Sequence, residues 1–146
     1  MTGKRQGTHP ATLIALLAAA LLLVSQLVLL ARFDLDRLFG FSLLDDSFYY
    51  FTIARNAVSG LGLTFDGLTP TNGFHPLWML LLLLLWPLGG VKAALAAGAL
   101  CGAGTVILAH LLVSRATGSP WAGMAAALCT AANPALYVSW INGLET

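Results

Sequence analysis

Four long apolar runs constrain this chain more than any other feature. They cover about residues 11–31, 76–88, 91–113 and 120–138, and the longest reaches the roughly 20 residues a helix needs to cross a bilayer. The 146-residue chain is 58 % hydrophobic and only 9 % charged, with mean hydropathy +0.84. A soluble domain carries roughly a quarter charged residues. Too few remain here to cover a water-facing surface, so the apolar residues read as bilayer segments and the fold class as an all-α integral membrane protein.

The first run follows Lys4 and Arg5, as in a secretory signal. It continues from Ala11 to Ala31 with only Ser25 and Gln26 inside it, beyond the roughly 7–15 residues of a signal core. A retained anchor helix is therefore expected. The second run, 76–88, is short for a span. The third holds Gly98 and Gly102 one helical turn apart, a stripe that lets helices approach closely. It serves packing within the chain or, as a weaker alternative, a dimer seam. In the fourth, Pro120 suits a helix start and Asn133-Pro134 should interrupt the helix near its far end. Trp78, Trp86, Trp121 and Trp140 fall near run ends, as an aromatic belt would. Cys101 and Cys129 lie inside apolar runs and read as small buried residues.

Net charge is +1, which gives no case for nucleic acid. Basic residues favour the cytoplasm, so Lys4 and Arg5 place the N-terminus inside and the loop 32–75 outside. Simple alternation then puts Lys92 inside, as expected, and Arg115 outside, against the rule.

The loop 32–75 holds five of the six acidic residues and is long for a linker between spans. Asp45, Asp46 and Ser47 offer a helix start, where acids meet the positive end of the dipole. No Gly or Pro follows until Gly60, a C-cap. Phe48, Phe51 and Val58 recur near helical spacing, so this amphipathic helix should lie along the membrane surface, aromatic side down. A carboxylate there can take a proton from a hydroxyl and a basic side chain can hold a phosphate, which makes Asp45, Asp46, Arg55 and His75 the candidate site residues. The two acids could also supply oxygen ligands to a divalent cation, although adjacent carboxylates are no metal motif. On spacing alone they serve equally as a cap and solvated charge.

The string Leu44-Asp45-Asp46-Ser47-Phe48-Tyr49-Tyr50-Phe51-Thr52-Ile53-Ala54-Arg55-Asn56, then Gly60-Leu61-Gly62-Leu63-Thr64-Phe65, then Thr71-Asn72-Gly73-Phe74-His75-Pro76-Leu77-Trp78, resembles the first extracytoplasmic loop of the GT-C membrane glycosyltransferases. These include protein mannosyltransferases, aminoarabinose transferases of lipid A and mycobacterial arabinofuranosyltransferases. The resemblance is densest over residues 44–78 and extends to Gly143-Leu144-Glu145-Thr146. It implies transfer of a sugar, with inversion, from a polyprenyl-phosphate donor to a hydroxyl of a glycan, lipid or protein at the outer face of a bacterial inner membrane. By resemblance, Asp45 matches the general base and Asp46 the second acid, which positions the acceptor or a cation. His75 falls where some relatives carry a basic residue near the donor phosphate, and is Lys in the aminoarabinose transferases. Glu145 matches an acid lining the same site, and Arg55 could face it.

Members of that family are several times longer, so the chain reads as the N-terminal part of such an enzyme. Four crossings would leave Glu145 in the cytoplasm, opposite Asp45. For Glu145 to join the site, one run must fail to cross, and the short second run and the interrupted fourth are the candidates. Two other classes compete: a non-enzymatic membrane subunit packed along Gly98 and Gly102, and a piece of a transporter, whose mid-span ionisable group would be His110.

Overall fold

Proline sets where this chain turns helical. The computed structural model describes residues 8–34, 37 and 45–143, the side chain of Asp45 excepted. Helix α1 is Pro10–Arg32, α2 is Asp45–Val58, α3 is Pro76–Thr117, α4 is Pro120–Ala131 and α5 is Pro134–Ser139. All but α2 open on proline, whose missing N–H costs nothing in a first turn. Side chains cap three of these starts. The His9 ring accepts the Ala11 N–H, Ser119 accepts that of Ala122, and Asn133 accepts those of Ala135 and Leu136. Asn133 thus ends one helix and begins the next, which breaks the fourth apolar run where Asn133-Pro134 predicted. Among the described residues the only β pairing is an isolated bridge between Thr64 and Pro70.

Helix α3 is not straight. Gly90 sits at φ 56°, ψ −131°, beside an extended Gly89, and the helical backbone breaks there into arms 76–88 and 91–117. A straight helix would hold Trp78 and Gly98 about 30 Å apart at 1.5 Å per residue. Instead the Trp78 indole N–H donates to the Gly143 carbonyl at 3.2 Å, while Gly98 lies against the backbone carbonyl of Trp140, only three residues earlier. The first arm therefore doubles back along the second, and Leu82 shares a core with Ala94 and Leu95.

Helix α1 runs antiparallel to the long arm. Thr12 meets His110 through a 3.1 Å bond at one end, and Leu30 shares the core of Ala94 and Leu95 at the other. Its buried residues Ala11, Ala15, Ala19, Leu22, Gln26 and Leu30 form one stripe. In lipid, where a tail is as apolar as a leucine, close approach of small residues holds helices together. Ala15 and Ala19 face Ala103 and Val106 with Ala127 of α4. Gly123 of α4 lies against the His110 carbonyl and the Ser114 hydroxyl. The stripe of Gly98 and Gly102 is filled by Trp140 of the same chain, so it is not open to a second copy.

Helices α1 and α3 are each long and apolar enough to cross a membrane. Several placements differ from expectation. Cys101 and Cys129 are exposed rather than buried, since both faces of these helices are apolar and residue type alone does not say which one packs inward. Trp78 and Trp140 are buried inside the fold rather than in a belt, whereas Trp121 is exposed and meets His9 edge-on at 5.6 Å. On α2, Tyr50, Phe51, Ile53 and Ala54 share a core with α3, Ser47 and Asn56 are also buried, and Phe48 and Val58 are exposed. Of the expected stripe Phe48, Phe51 and Val58, Phe51 is therefore buried against the bundle and the other two remain exposed. Finally, the doubling back puts Lys92 at the α2 end of the bundle and Arg115 at the α1 N-terminal end, the reverse of simple alternation.

Candidate functional site

Three stretches far apart in sequence meet on the first turns of α2. Ser47, fully buried, donates its hydroxyl to the Asn142 carbonyl in a short bond. Tyr49 and Thr71 share a hydroxyl–hydroxyl bond of 2.5 Å, and the Tyr50 hydroxyl accepts the His75 backbone N–H at 3.0 Å. Trp78, one turn into α3, holds the Gly143 carbonyl. The Tyr50–His75 contact lies in a shallow open cleft of about 350 Å³ lined by Tyr50, Asn72, Gly73, Phe74, His75 and Pro76.

The loop between α2 and the cleft is fixed by local chemistry. Gly60, at φ 85°, closes α2: its N–H reaches the Ala57 carbonyl and that of Leu61 the Asn56 carbonyl. The buried Asn56 amide then donates to the carbonyls of Thr64 and Phe65 at 3.0 and 3.1 Å. Asp66 accepts the N–H groups of Thr69 and Leu68 at 2.7 and 2.9 Å. Those bonds, Thr69 first, stabilise the ionised carboxylate and hold Asp66 below the usual carboxylate range.

Of the residues singled out in the sequence, Asp46 is exposed at the start of α2, one position from Ser47. Asp45 opens the helix, and its side chain lies outside the described residues, as does Glu145. His75 caps α3 without a side-chain bond to the helix and lines the cleft. Arg55 is not brought to Asp46. It is exposed nine residues from Asp46, about 13 Å along the axis and on the opposite face at 100° per residue. Among the described residues, no three His, Cys, Asp or Glu groups converge to hold a metal ion.

Sequence reasoning read Ser47 only as part of a cap and passed over Tyr49, Tyr50, Asn56 and Asn142. It also passed over Gln26, whose amide N–H donates at 3.2 Å to the Tyr137 carbonyl at the end of α5. That carbonyl lies past the proline break, where polar glue between apolar helices is needed. A Gln wholly buried within an apolar run was the available signal.

Because Ser47 and Asn142 are both buried, Ser47→Ala removes a buried hydrogen bond to the Asn142 carbonyl, at a cost of about 1–3 kcal/mol. Limited proteolysis in detergent should cut between residues 140 and 143 several-fold faster in that variant. Equal cutting rates would mean the bond does not hold the tail.

No protein-family profile, curated protein or solved structure matches this chain.

Proposed function

We propose that this chain is part of a membrane glycosyltransferase of the GT-C type, multi-pass in a bacterial inner membrane, with its cleft on the extracytoplasmic side. The observation that carries the reading is the convergence just described. The stretches 44–56 and 71–78 and the string 143–146 resemble that family separately, and Tyr50 with His75 and Trp78 with Gly143, the described residue of the last string, join them, with Ser47 held to the adjoining Asn142.

In this reading Asp45 takes the proton of the acceptor hydroxyl as its oxygen bonds to the anomeric carbon of the donor. The bond from that carbon to the phosphate oxygen breaks on the opposite face, so configuration inverts and polyprenyl phosphate leaves. His75 stands against the leaving phosphate as a hydrogen-bond donor. Asp46 orients the acceptor or a bound cation. Glu145, two residues past Gly143, joins from the tail, and Arg55 takes no part. Membranes carrying the chain should release polyprenyl phosphate from a radiolabelled polyprenyl-phosphate sugar faster than membranes without it. Equal release removes the reading.

Three crossings suit this function better than four. The arm 76–88 spans about 20 Å as a helix, short of the roughly 30 Å hydrocarbon core, whereas 91–117 spans about 40 Å and α4 with α5 together extend over residues 120–139, about 30 Å. With 76–88 folded back on the outer side, Asn142 and Gly143 return to the side of α2. Arg115 then joins Lys4 and Arg5 inside, as the positive-inside rule asks. Single cysteines at Lys92 and Arg115, with Cys101 and Cys129 replaced by Ala, separate the two topologies. An impermeant maleimide should label Lys92→Cys in intact cells and Arg115→Cys only after lysis. The opposite pattern restores four crossings.

A further inference from the structure

The loop 61–68 turns apolar side chains outward from a backbone that has little need of water. Leu61, Leu63, Phe65 and Leu68 are all exposed, Leu68 to 86 %, and none joins either apolar core. Beneath them the backbone is satisfied within the chain. Five consecutive carbonyls each accept a bond: Leu61 from the Thr64 hydroxyl, Gly62 from the Thr64 N–H, Leu63 from the Thr71 N–H, and Thr64 and Phe65 from the Asn56 amide. Past the turn, the Asp66 carboxylate accepts the N–H groups of Leu68 and Thr69. A loop facing water can leave such groups to the solvent. At the edge of a bilayer they would go unpaired, so a loop that enters must satisfy them itself.

Two observations point to lipid as what these side chains meet. The first is charge. Between Arg55 and Lys92 the sequence carries one charged side chain, Asp66. It is fully exposed and held ionised by its two backbone bonds, which suits the headgroup layer and keeps entry shallow. The second is continuity with the apolar outside of a membrane-length helix. The Phe65 ring stacks on Tyr49 with centroids 5.2 Å apart, Tyr49 bonds Thr71, and Tyr50 bonds the His75 N–H. The loop is thereby fastened to the start of α3, which is long and apolar enough to cross a membrane. From that point Leu77, Leu80, Leu84 and Leu88 are exposed, within about 80° on one side at 100° per residue.

We propose that loop 61–68 is a lipid anchor. Leu61, Leu63, Phe65 and Leu68 enter the acyl-chain edge of the leaflet nearest α2, and Asp66 stays among the headgroups. Such an anchor requires no transfer chemistry, so its test needs none. Leu68→Cys, with Cys101 and Cys129 replaced by Ala, is labelled with an environment-sensitive fluorophore in the whole chain in lipid nanodiscs. Lipid carrying a nitroxide near the top of its acyl chain should quench the label, and aqueous iodide should quench it several-fold less than it quenches free label. Adding Leu61→Asp and Leu63→Asp should reverse both results while helix content by circular dichroism stays the same. Free access to iodide without quenching by lipid would overturn the anchor. Shielding from both quenchers would also overturn it, because protein, of this chain or of a second copy, would then cover the loop. Equal lipid quenching in the Asp variant would overturn it too, since the label rather than the loop would be seeking lipid.

Discussion

Asp45→Asn is expected to slow sugar transfer by about 10²–10⁴-fold while leaving the amount of inserted protein unchanged. That range is what a positioned proton acceptor contributes. The substitution discriminates because Asn serves a helix start nearly as well as Asp, so α2 should form as before. Only the capacity to accept a proton is lost. Release of polyprenyl phosphate from labelled donor reads the chemistry, and cysteine labelling from outside reads the insertion. Asp46→Asn is the internal comparison. A second acid that orients the acceptor should cost less than the base itself, and if it holds a cation, its loss should be eased by raising the divalent ion concentration. Full transfer by Asp45→Asn would remove Asp45 as the base and, with it, the main chemical claim of the site.

What could be read from the sequence follows from which forces are local. Pro10, Pro76, Pro120 and Pro134 fix helix starts by removing a backbone donor, and Gly60 ends α2 because it can take a positive φ. These were legible because each acts within a turn of its own position. The path of arm 76–88 was not. Hydropathy reports that a run prefers lipid or core and is silent on whether the chain crosses or returns. That depended on the backbone at Gly89 and Gly90 and on bonds between Ser47 and Asn142 or Trp78 and Gly143, pairs 95 and 65 residues apart. The same limit hid Trp140, whose place at a run end suits a membrane belt, and whose burial is set by two glycines some forty residues earlier. At the site, residue types in Asp45, Asp46 and His75 were legible as chemistry. Their supports were not, since a tyrosine on a helix gives no sign of which loop its hydroxyl will hold.

Gly98 and Gly102 make a second large effect testable, and they should fail in different ways. A Cβ on Gly102 would lie 2.5–2.7 Å from three carbons of the Trp140 ring, and one on Gly98 would run into the Trp140 backbone carbonyl. Overpacking of this kind typically costs about 1–3 kcal/mol. Valine at either position should therefore lower the melting temperature in detergent by several degrees and release the tail, with transfer falling because Asn142 and Gly143 no longer sit against Ser47 and Trp78. The two differ in rescue. Against Gly102→Val the obstacle is a side chain, so Trp140→Ala should recover much of the loss, as a favourable coupling in a double-mutant cycle. Against Gly98→Val the obstacle is main chain, which no change at position 140 can remove, and the same second substitution should only add its own cost. Equal rescue of both would mean that Trp140 merely fills space. Rescue of Gly102→Val alone would mean that the small stripe of α3 holds the tail by its backbone, and so keeps Asn142 and Gly143 against Ser47 and Trp78.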